Sequence, residues 1–378
     1  MDPTTARSLF PVTRTHVFMN HAGVSPMSER GRAAAVTVMA QLADEPCPAG
    51  FDAEISDRLR SLLARLLGTQ PETIGIVRST AHGISLLAQG LDWQPGENVV
   101  GARGEYPANV YPWMALRDRG VELRLAEPVE GRVTPESVLA LVDGRTRVVA
   151  LSHVAFWNGC RADLRAIGAE CRRRGIIVAV DAIQSVGALR VDVSDLPVDF
   201  MAAAAHKWQL GPVGIGVCHC RPELLQRLRP VLVGTGTVKR SDEYFEYDYD
   251  LRDTARRFEE SAISPLLAAA YAAAVELLLE VGLDVVERRV LALAGRLAEG
   301  LADRGCELVD PWPRTPEESS GIVGFRRPGS SAQEVLDDLN AAGVVGRVRG
   351  DCVRLAPHFY NTEEEVERVL QVVRGARS

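Results

Sequence analysis

The chain has only two lysines in 378 residues, Lys207 and Lys239, and arginine fills nearly every other basic position. Lysine is normally among the commonest residues of a globular protein. Arginine keeps its proton, so it can replace lysine as a surface charge but not as an amine nucleophile. Lys207 closes the apolar run Val198-Asp-Phe-Met-Ala-Ala-Ala-Ala-His206 and is followed by the turn-forming Gly211-Pro-Val-Gly214. An ammonium at the end of a buried strand is costly unless it is paired or neutralised, which makes Lys207 a candidate Schiff-base lysine. Lys239 sits in the polar run Thr237-Val-Lys-Arg-Ser-Asp and reads as an ordinary surface charge.

Other residues that can do chemistry also close apolar runs: Ser79-Thr80, Glu105-Tyr106, His153, Asp181 with Gln184, and His206 beside Lys207. Each has a plain structural explanation. Ser79-Thr80 and Asp181 could be helix caps, the histidines satisfied core or loop residues, and Tyr106 a packed aromatic. In an open α/β sheet, however, ligands bind outside the carboxyl ends of the strands, where all of these fall. An acid and a lysine closing consecutive buried strands suit a cofactor that both can reach. Pyridoxal 5′-phosphate (PLP) asks for this set: a lysine for its aldehyde, an acid for its pyridinium nitrogen, a helix N-terminus for its phosphate and an aromatic for its ring face. Lys207, displaced by a substrate amine, would then act as a base near the α-carbon, with Asp181 keeping the ring nitrogen protonated.

The elements that would position these residues alternate. Helices are expected over 28–43 and 52–67, the latter stopped by Gly68. A strand over 74–78 then runs through Ser79–Gly83 into a helix over 84–91. Further strands are expected over 98–102, 147–152 and 176–180, with helices over 110–119 and 164–174. Continuous apolar strands separated by helices predict an α/β fold with a mostly parallel sheet covered on both faces. Residues 234–257 read as a long functional loop, rich in Gly, Tyr and charge. Helices over 265–279 and 285–304 follow, then strands over 321–325 and 352–355 mixed with helices over 332–342 and 363–373. The expected organisation is an N-terminal segment plus large cofactor-binding domain, 1–257, and a smaller α+β domain, 258–378.

Hydrophobic content of 46% supports a sizeable core, and the net charge of −7 argues against phosphate-backbone binding. Nucleic-acid and membrane partners are not expected. The seven cysteines, Cys47, Cys160, Cys171, Cys218, Cys220, Cys306 and Cys352, are an odd number without paired CxxC spacing. That fits reduced thiols in a cytoplasmic protein, with neither a disulfide framework nor a metal site. No run approaches a membrane span, and residues 1–14 lack a signal-like apolar stretch.

Asp181-Ala-Ile-Gln184, Ala205-His206-Lys207-Trp208 and Gly211-Pro-Val-Gly-Ile-Gly resemble the core motifs of the class V aminotransferase family within the fold-type I PLP enzymes. Asn20-His-Ala-Gly-Val-Ser-Pro26, Glu105-Tyr-Pro-Ala-Asn-Val-Tyr-Pro-Trp113 and Val353-Arg354-Leu-Ala-Pro-His-Phe-Tyr-Asn361-Thr362 are similar to its cysteine desulfurase, selenocysteine lyase and isopenicillin N epimerase branch. The resemblance runs over about 16–375. It implies that Lys207 carries the cofactor, Asp181 pairs with the ring nitrogen, Gln184 reaches the phenolic oxygen and Tyr106 stacks on the ring. It further implies that Thr80, Ala81 and His82, helped by His206, hold the phosphate. Arg354 would grip the substrate α-carboxylate, with His21 and Asn158 as further substrate-binding candidates. The family's homodimeric habit implies a site at a subunit interface, reached by Ser261 or Ser264 of a neighbouring copy.

Departures from the family pattern sharpen the expectation. Ala81 stands where the phosphate turn usually has a hydroxyl, Ala204 where a Ser precedes the His-Lys pair, and Phe156 where the substrate loop often has Asn. The loop that carries the sulfur-accepting cysteine of desulfurases is reduced to Val345–Asp351, and Cys352 reads as a structural strand residue. The resulting expectation is an aminotransferase-like or C–S lyase-like enzyme, transferase or lyase, acting on an amino-acid substrate. An epimerase or a cysteine desulfurase of the same family is the alternative. Outside that family, a nucleotide-dependent oxidoreductase would have to use Gly211, Gly214 and Gly216, whose spacing inverts the dinucleotide fingerprint. A catalytically inactive scaffold has no reason to keep Lys207, Asp181, Gln184 and Arg354 together.

Overall fold

In the computed structural model, which describes residues 1–46 and 50–373, a seven-stranded sheet forms the centre. Its strands in chain order are β1 (Ile74–Val77), β2 (Asn98–Ala102), β3 (Glu122–Ala126), β4 (Thr146–Ser152), β5 (Ile177–Asp181), β6 (Phe200–Ala204) and β7 (Gly216–Cys220). They lie in the order β1-β7-β6-β5-β4-β2-β3, all parallel except β7, which runs against both neighbours. β1, β2, β5, β6 and β7 are buried along their whole length, as expected when helices cover both faces. β3 is an edge strand with a half-exposed pattern, and its short Glu-Leu-Arg-Leu alternation lies outside the strands expected from sequence.

Small residues in β6 decide how close a helix can come. The helix Thr80–Gly90 crosses β6 at Gly83, where a Cβ would stand 2.6 Å from the Cβ of Ala202. On the other side of β6, a Cβ at Gly216 would meet the Ala203 carbonyl oxygen at 2.6 Å. The small side chain of Ala202 therefore lets the helix, whose N-terminus faces the Lys207 end of the sheet, lie close on β6.

A second sheet of four strands carries Arg354: β8 (Glu307–Leu308), β9 (Val323–Arg326), β10 (Arg347–Arg349) and β11 (Cys352–Leu355), ordered β10-β11-β9-β8 and antiparallel. Val348, Val353 and Leu355 pack into a core with the helices Leu283–Ala302, Ala332–Ala341 and Glu363–Val372. The opposite face is thereby left for Arg347, Arg349, Cys352 and Arg354. Two long-range ties hold this sheet beside the large one. Val17-Phe18 pairs in parallel with Val344-Val345, and Asn20 bridges to Ala356. The helix Pro265–Val281 follows the division expected at 257/258 but buries Ala268, Tyr271, Ala272 and Val275 in the core of the large sheet. Packing there reaches across the chain division.

The long segment 234–257 is mostly irregular, with short helical turns at Thr235–Thr237 and from Ala255 and a single bridge between Val238 and Leu251, as expected for a loop. The six described cysteines are all buried and unbridged, and Cys47 lies outside the described residues. No single described helix is long and apolar enough to cross a membrane, and the described residues contain no cluster suited to a metal ion.

Candidate active site

Lys207 follows β6 by three residues, and its backbone is clamped by the N-terminal loop. The N–H of Ser25 donates to the His206 carbonyl at 2.8 Å, and the Ser25 hydroxyl donates to the Lys207 carbonyl at 2.6 Å. The lysine is 9% exposed, with its ammonium nitrogen 5.5 Å from the centroid of the Tyr106 ring. Burial lowers its pKa to about 8. The Asp181 carboxylate works against that shift, and the Arg354 and Arg349 guanidinium groups add to it. A lysine poised this way supplies free amine at near-neutral pH, which an ordinary lysine does not.

Asp181 ends β5 and is 2% exposed. It accepts a hydrogen bond from the Ile183 N–H at 3.0 Å, and burial pushes its pKa up to about 6 despite that bond and the nearby Lys207. A cationic ring nitrogen would relieve this carboxylate of its desolvation cost, which is what a pyridinium offers. Gln184 is oriented by two bonds. Its Oε1 accepts from the Trp208 indole N–H at 2.9 Å, and its Nε2 donates to the Ala22 carbonyl at 3.1 Å. One amide hydrogen is left for a ligand oxygen.

The phosphate-binding expectation rests on the start of the helix Thr80–Gly90. Ser79 caps it by accepting from the His82 N–H at 3.1 Å. The Thr80 hydroxyl accepts from the Ala204 N–H at 3.0 Å, which leaves its own O–H free to donate to a phosphate oxygen. The backbone N–H groups of Thr80 and Ala81 lie in the first turn, where helical acceptors do not exist. His82 Nε2 and His206 Nδ1 are buried without a partner among the described residues. Two imidazole nitrogens and two free amides thus stand in for the hydroxyls that Ala81 and Ala204 lack. These orphaned polar atoms, together with the buried acid and lysine, fit PLP.

Arg354 is 1% exposed and has no carboxylate within salt-bridge distance among the described residues. It donates to the Phe156 carbonyl at 2.5 Å and, more weakly, to the Asn20 side-chain oxygen at 3.4 Å, while its Nε has no partner. Burial, with Arg349 nearby, lowers its pKa to about 9, which still leaves it charged at neutral pH. A charged fork held in place but unpaired is a receptor for a carboxylate. Opposite Arg354 in β9 stands Gly324, and Gly23 leaves room for the Asn20 amide, where a Cβ would stand 2.7 Å away.

Two expected substrate-binding residues do not offer side chains to the site. His21 is fully buried, with Nδ1 bound to the Ala356 carbonyl at 2.8 Å and Nε2 to the Tyr360 hydroxyl at 2.6 Å. Asn158 is also fully buried and pins its own loop, donating to the Gly131 carbonyl at 2.8 Å and accepting from the Cys160 N–H at 3.1 Å. The groups that do touch Arg354 are their chain neighbours Asn20 and Phe156, the latter through its backbone, which no side-chain motif reveals. His153 accepts from Arg161 Nε at 3.2 Å and shares with it the wall of a cavity of about 450 Å³. Burial drives its pKa down to about 3, so it is neutral. Ser264 caps the helix Pro265–Val281, and Ser261 is exposed.

Glu105 is a further acid, half-buried, that sequence reasoning left without a role. It accepts from the Ser152 N–H at 2.6 Å, from the Ser152 hydroxyl and from the Asn109 amide at 3.2 Å. Burial raises its pKa to about 7. These bonds tie the end of β2 to the end of β4 and so fix Tyr106, whose ring also makes an edge contact with Phe156 at 5.2 Å.

Cys352 is 1% exposed, and its Sγ donates to the Arg349 carbonyl at 3.0 Å. Burial raises its pKa, the reverse of what a sulfur nucleophile needs. Cys352→Ala is therefore expected to leave any sulfide release from cysteine unchanged, measured as sulfide formed per enzyme under saturating substrate. A loss of more than about tenfold would restore a chemical role for this thiol.

The family profile for aminotransferase class V matches residues 52–369. A protein named as a probable cysteine desulfurase from Pyrococcus abyssi is 30% identical over 337 residues, covering 83% of this chain and 81% of that one. Isopenicillin N epimerase from Streptomyces clavuligerus is 30% identical over 340 residues, covering 83% and 82%. The solved apo structure of a cysteine desulfurase from Thermococcus onnurineus superposes with a TM-score of 0.89 at 25% identity, covering 98% of this chain and 97% of that one. The buried lysine, its aspartate and the unpaired arginine thus stand on a fold-type I framework, and the chain belongs to the class V aminotransferase family of PLP-dependent enzymes that act on amino acids.

Proposed function

We propose that the protein is an aminotransferase-like or C–S lyase-like enzyme whose substrate is an amino acid held by Arg354. The observation that carries this reading is the pairing of a buried lysine, beside Asp181, with a buried guanidinium that has no anion partner among the described residues. PLP, when bound, supplies an aldehyde for amines and a ring that draws electrons from the substrate α-carbon. Lys207 holds the cofactor and afterwards moves the proton at the α-carbon. Asp181 holds the proton on the ring nitrogen, Gln184 donates to the phenolic oxygen and Tyr106 covers the ring. Thr80, Ala81, His82 and His206 take the phosphate. Residues 1–257 bind the cofactor on this reading, and 258–378 bring the arginine that orients the substrate.

The short segment 345–351 and the sealed Cys352 favour chemistry that needs no persulfide-accepting cysteine. Homodimerisation is supported by exposed apolar side chains such as Met39 at 53% and Phe245 at 93%, and by the homodimeric habit that the family resemblance implies. A cytoplasmic location is supported by the unbridged cysteines.

The purified protein supplied with PLP is expected to absorb near the edge of the visible and to bleach with borohydride. Screening amino acids for a change in that band, with pyruvate, ammonia and sulfide assays alongside, separates transamination, elimination, epimerisation and desulfuration. A protein that neither takes up PLP nor responds to any amino acid would refute the reading.

A further inference from the structure

We infer that the substrate carries a second anionic group besides its α-carboxylate, and that Arg349 recognises it. This rests on the proposed role of Arg354 and specifies the substrate class. Arg347, Arg349 and Arg354 occupy one face of the β10–β11 pair. Arg347 stands directly across from Arg354, and Arg349 is two residues further along, across from Cys352. Residues two apart on a strand share a face, and the intervening Val348 and its partner Val353 point into the small-domain core. The three cations therefore look towards the edge of the large sheet, where Arg354 meets Phe156 and Asn20.

None of the three has a carboxylate partner among the described residues, although most arginines of this chain do. Arg349 is half-buried. Its Nη1 makes only a 3.3 Å bond to the neighbouring Val348 carbonyl, and its Nε is buried with no partner. It shares the strand face that carries Arg354 and Cys352, so it lies on the site side of the sheet. Two guanidinium groups crowded together without anions repel each other, which two bound anions would relieve. Arg354 lies deepest and takes the α-carboxylate. Arg349, half-buried and so nearer the surface than Arg354, is left for an acidic side chain such as a carboxylate or phosphate. Arg347 is exposed and forms the rim.

The test uses the PLP-loaded enzyme and its visible band, titrated with L-aspartate, L-glutamate and O-phospho-L-serine against L-asparagine, L-glutamine and L-alanine. At least one acidic amino acid is expected to bind about tenfold or more tighter than its neutral counterpart, a preference that weakens with salt. Arg349→Gln is expected to remove that preference while leaving the response to alanine and the band itself intact. Equal binding of acidic and neutral amino acids by the unaltered enzyme overturns the inference, as does a preference that survives Arg349→Gln. If no amino acid of either kind perturbs the band, the underlying assignment of Arg354 fails as well, and the inference with it.

Discussion

Lys207→Ala is expected to yield a protein that binds PLP only weakly, shows no borohydride-stable adduct and loses activity by at least about 10³-fold, because both the covalent tether and the proton carrier are removed. Lys239→Ala is expected to be indistinguishable from the unaltered protein. Its amine is exposed and ion-paired to Asp250 at 3.3 Å and Asp253 at 2.9 Å, which raises its pKa. The contrast matters because these are the only lysines in the chain, so a single adduct identifies the site. The pH dependence follows from the Lys207 pKa of about 8. Only the neutral amine attacks an aldehyde, so attachment of PLP to the apoprotein should be slow below this value and level off above it. The half-maximal rate should fall near pH 8, far below the pH 10.5 midpoint of an unperturbed lysine. The time course of the visible band across pH 6–10 measures this. A band that forms unchanged in Lys207→Ala, or a midpoint above pH 10, would refute the assignment.

The second large effect is expected at Arg354. Arg354→Met removes a buried charge while keeping a flexible apolar stem, and should leave the PLP band in place. The kcat/KM for the substrate should fall by about 10²–10³-fold, chiefly through KM, because a buried carboxylate then loses its paired cation. Arg354→Lys should recover little of this, since a point charge does not reproduce the planar fork. The same substitution makes an opposite prediction for the empty protein. A 1%-exposed guanidinium without an anion is a desolvated, unpaired charge, so Arg354→Met should stabilise the apoprotein by on the order of 1 kcal/mol. Thermal unfolding without ligand measures it. A lowered Tm together with an unchanged KM would show that Arg354 is a structural residue satisfied by Phe156 and Asn20.

Much of the candidate site was legible in the sequence, and for a physical reason. Strand ends are marked by the shift from a continuous apolar run to a polar residue, so Asp181, Lys207, Glu105 and the Ser79-Thr80 turn could be found without coordinates. The near absence of lysine made Lys207 conspicuous, because an amine nucleophile cannot be replaced by a guanidinium. Edge strands were harder. Glu122–Ala126 is half-exposed, and Arg347–Arg349 is three residues long, so neither carries a hydrophobic run strong enough to separate it from loop.

Sequence could not decide which polar residues of a motif actually face the ligand. His21 and Asn158 sit in stretches similar to those of the family, yet tertiary contacts with Tyr360, Ala356 and Gly131 consume their hydrogen-bonding atoms. Their neighbours Asn20 and Phe156 meet Arg354 instead, the second through a backbone carbonyl that every residue type possesses. What the chain alone determined was therefore the chemistry available at the sheet's edge and the alternation that builds the sheet. The folded structure alone decided which arginines lack anions among the described residues and that the strand of Arg347 and Arg349 pairs with the strand of Arg354. Pairing and burial arise from contacts between separate segments, up to 339 residues apart for His21 and Tyr360, and periodicity along the chain carries no record of them.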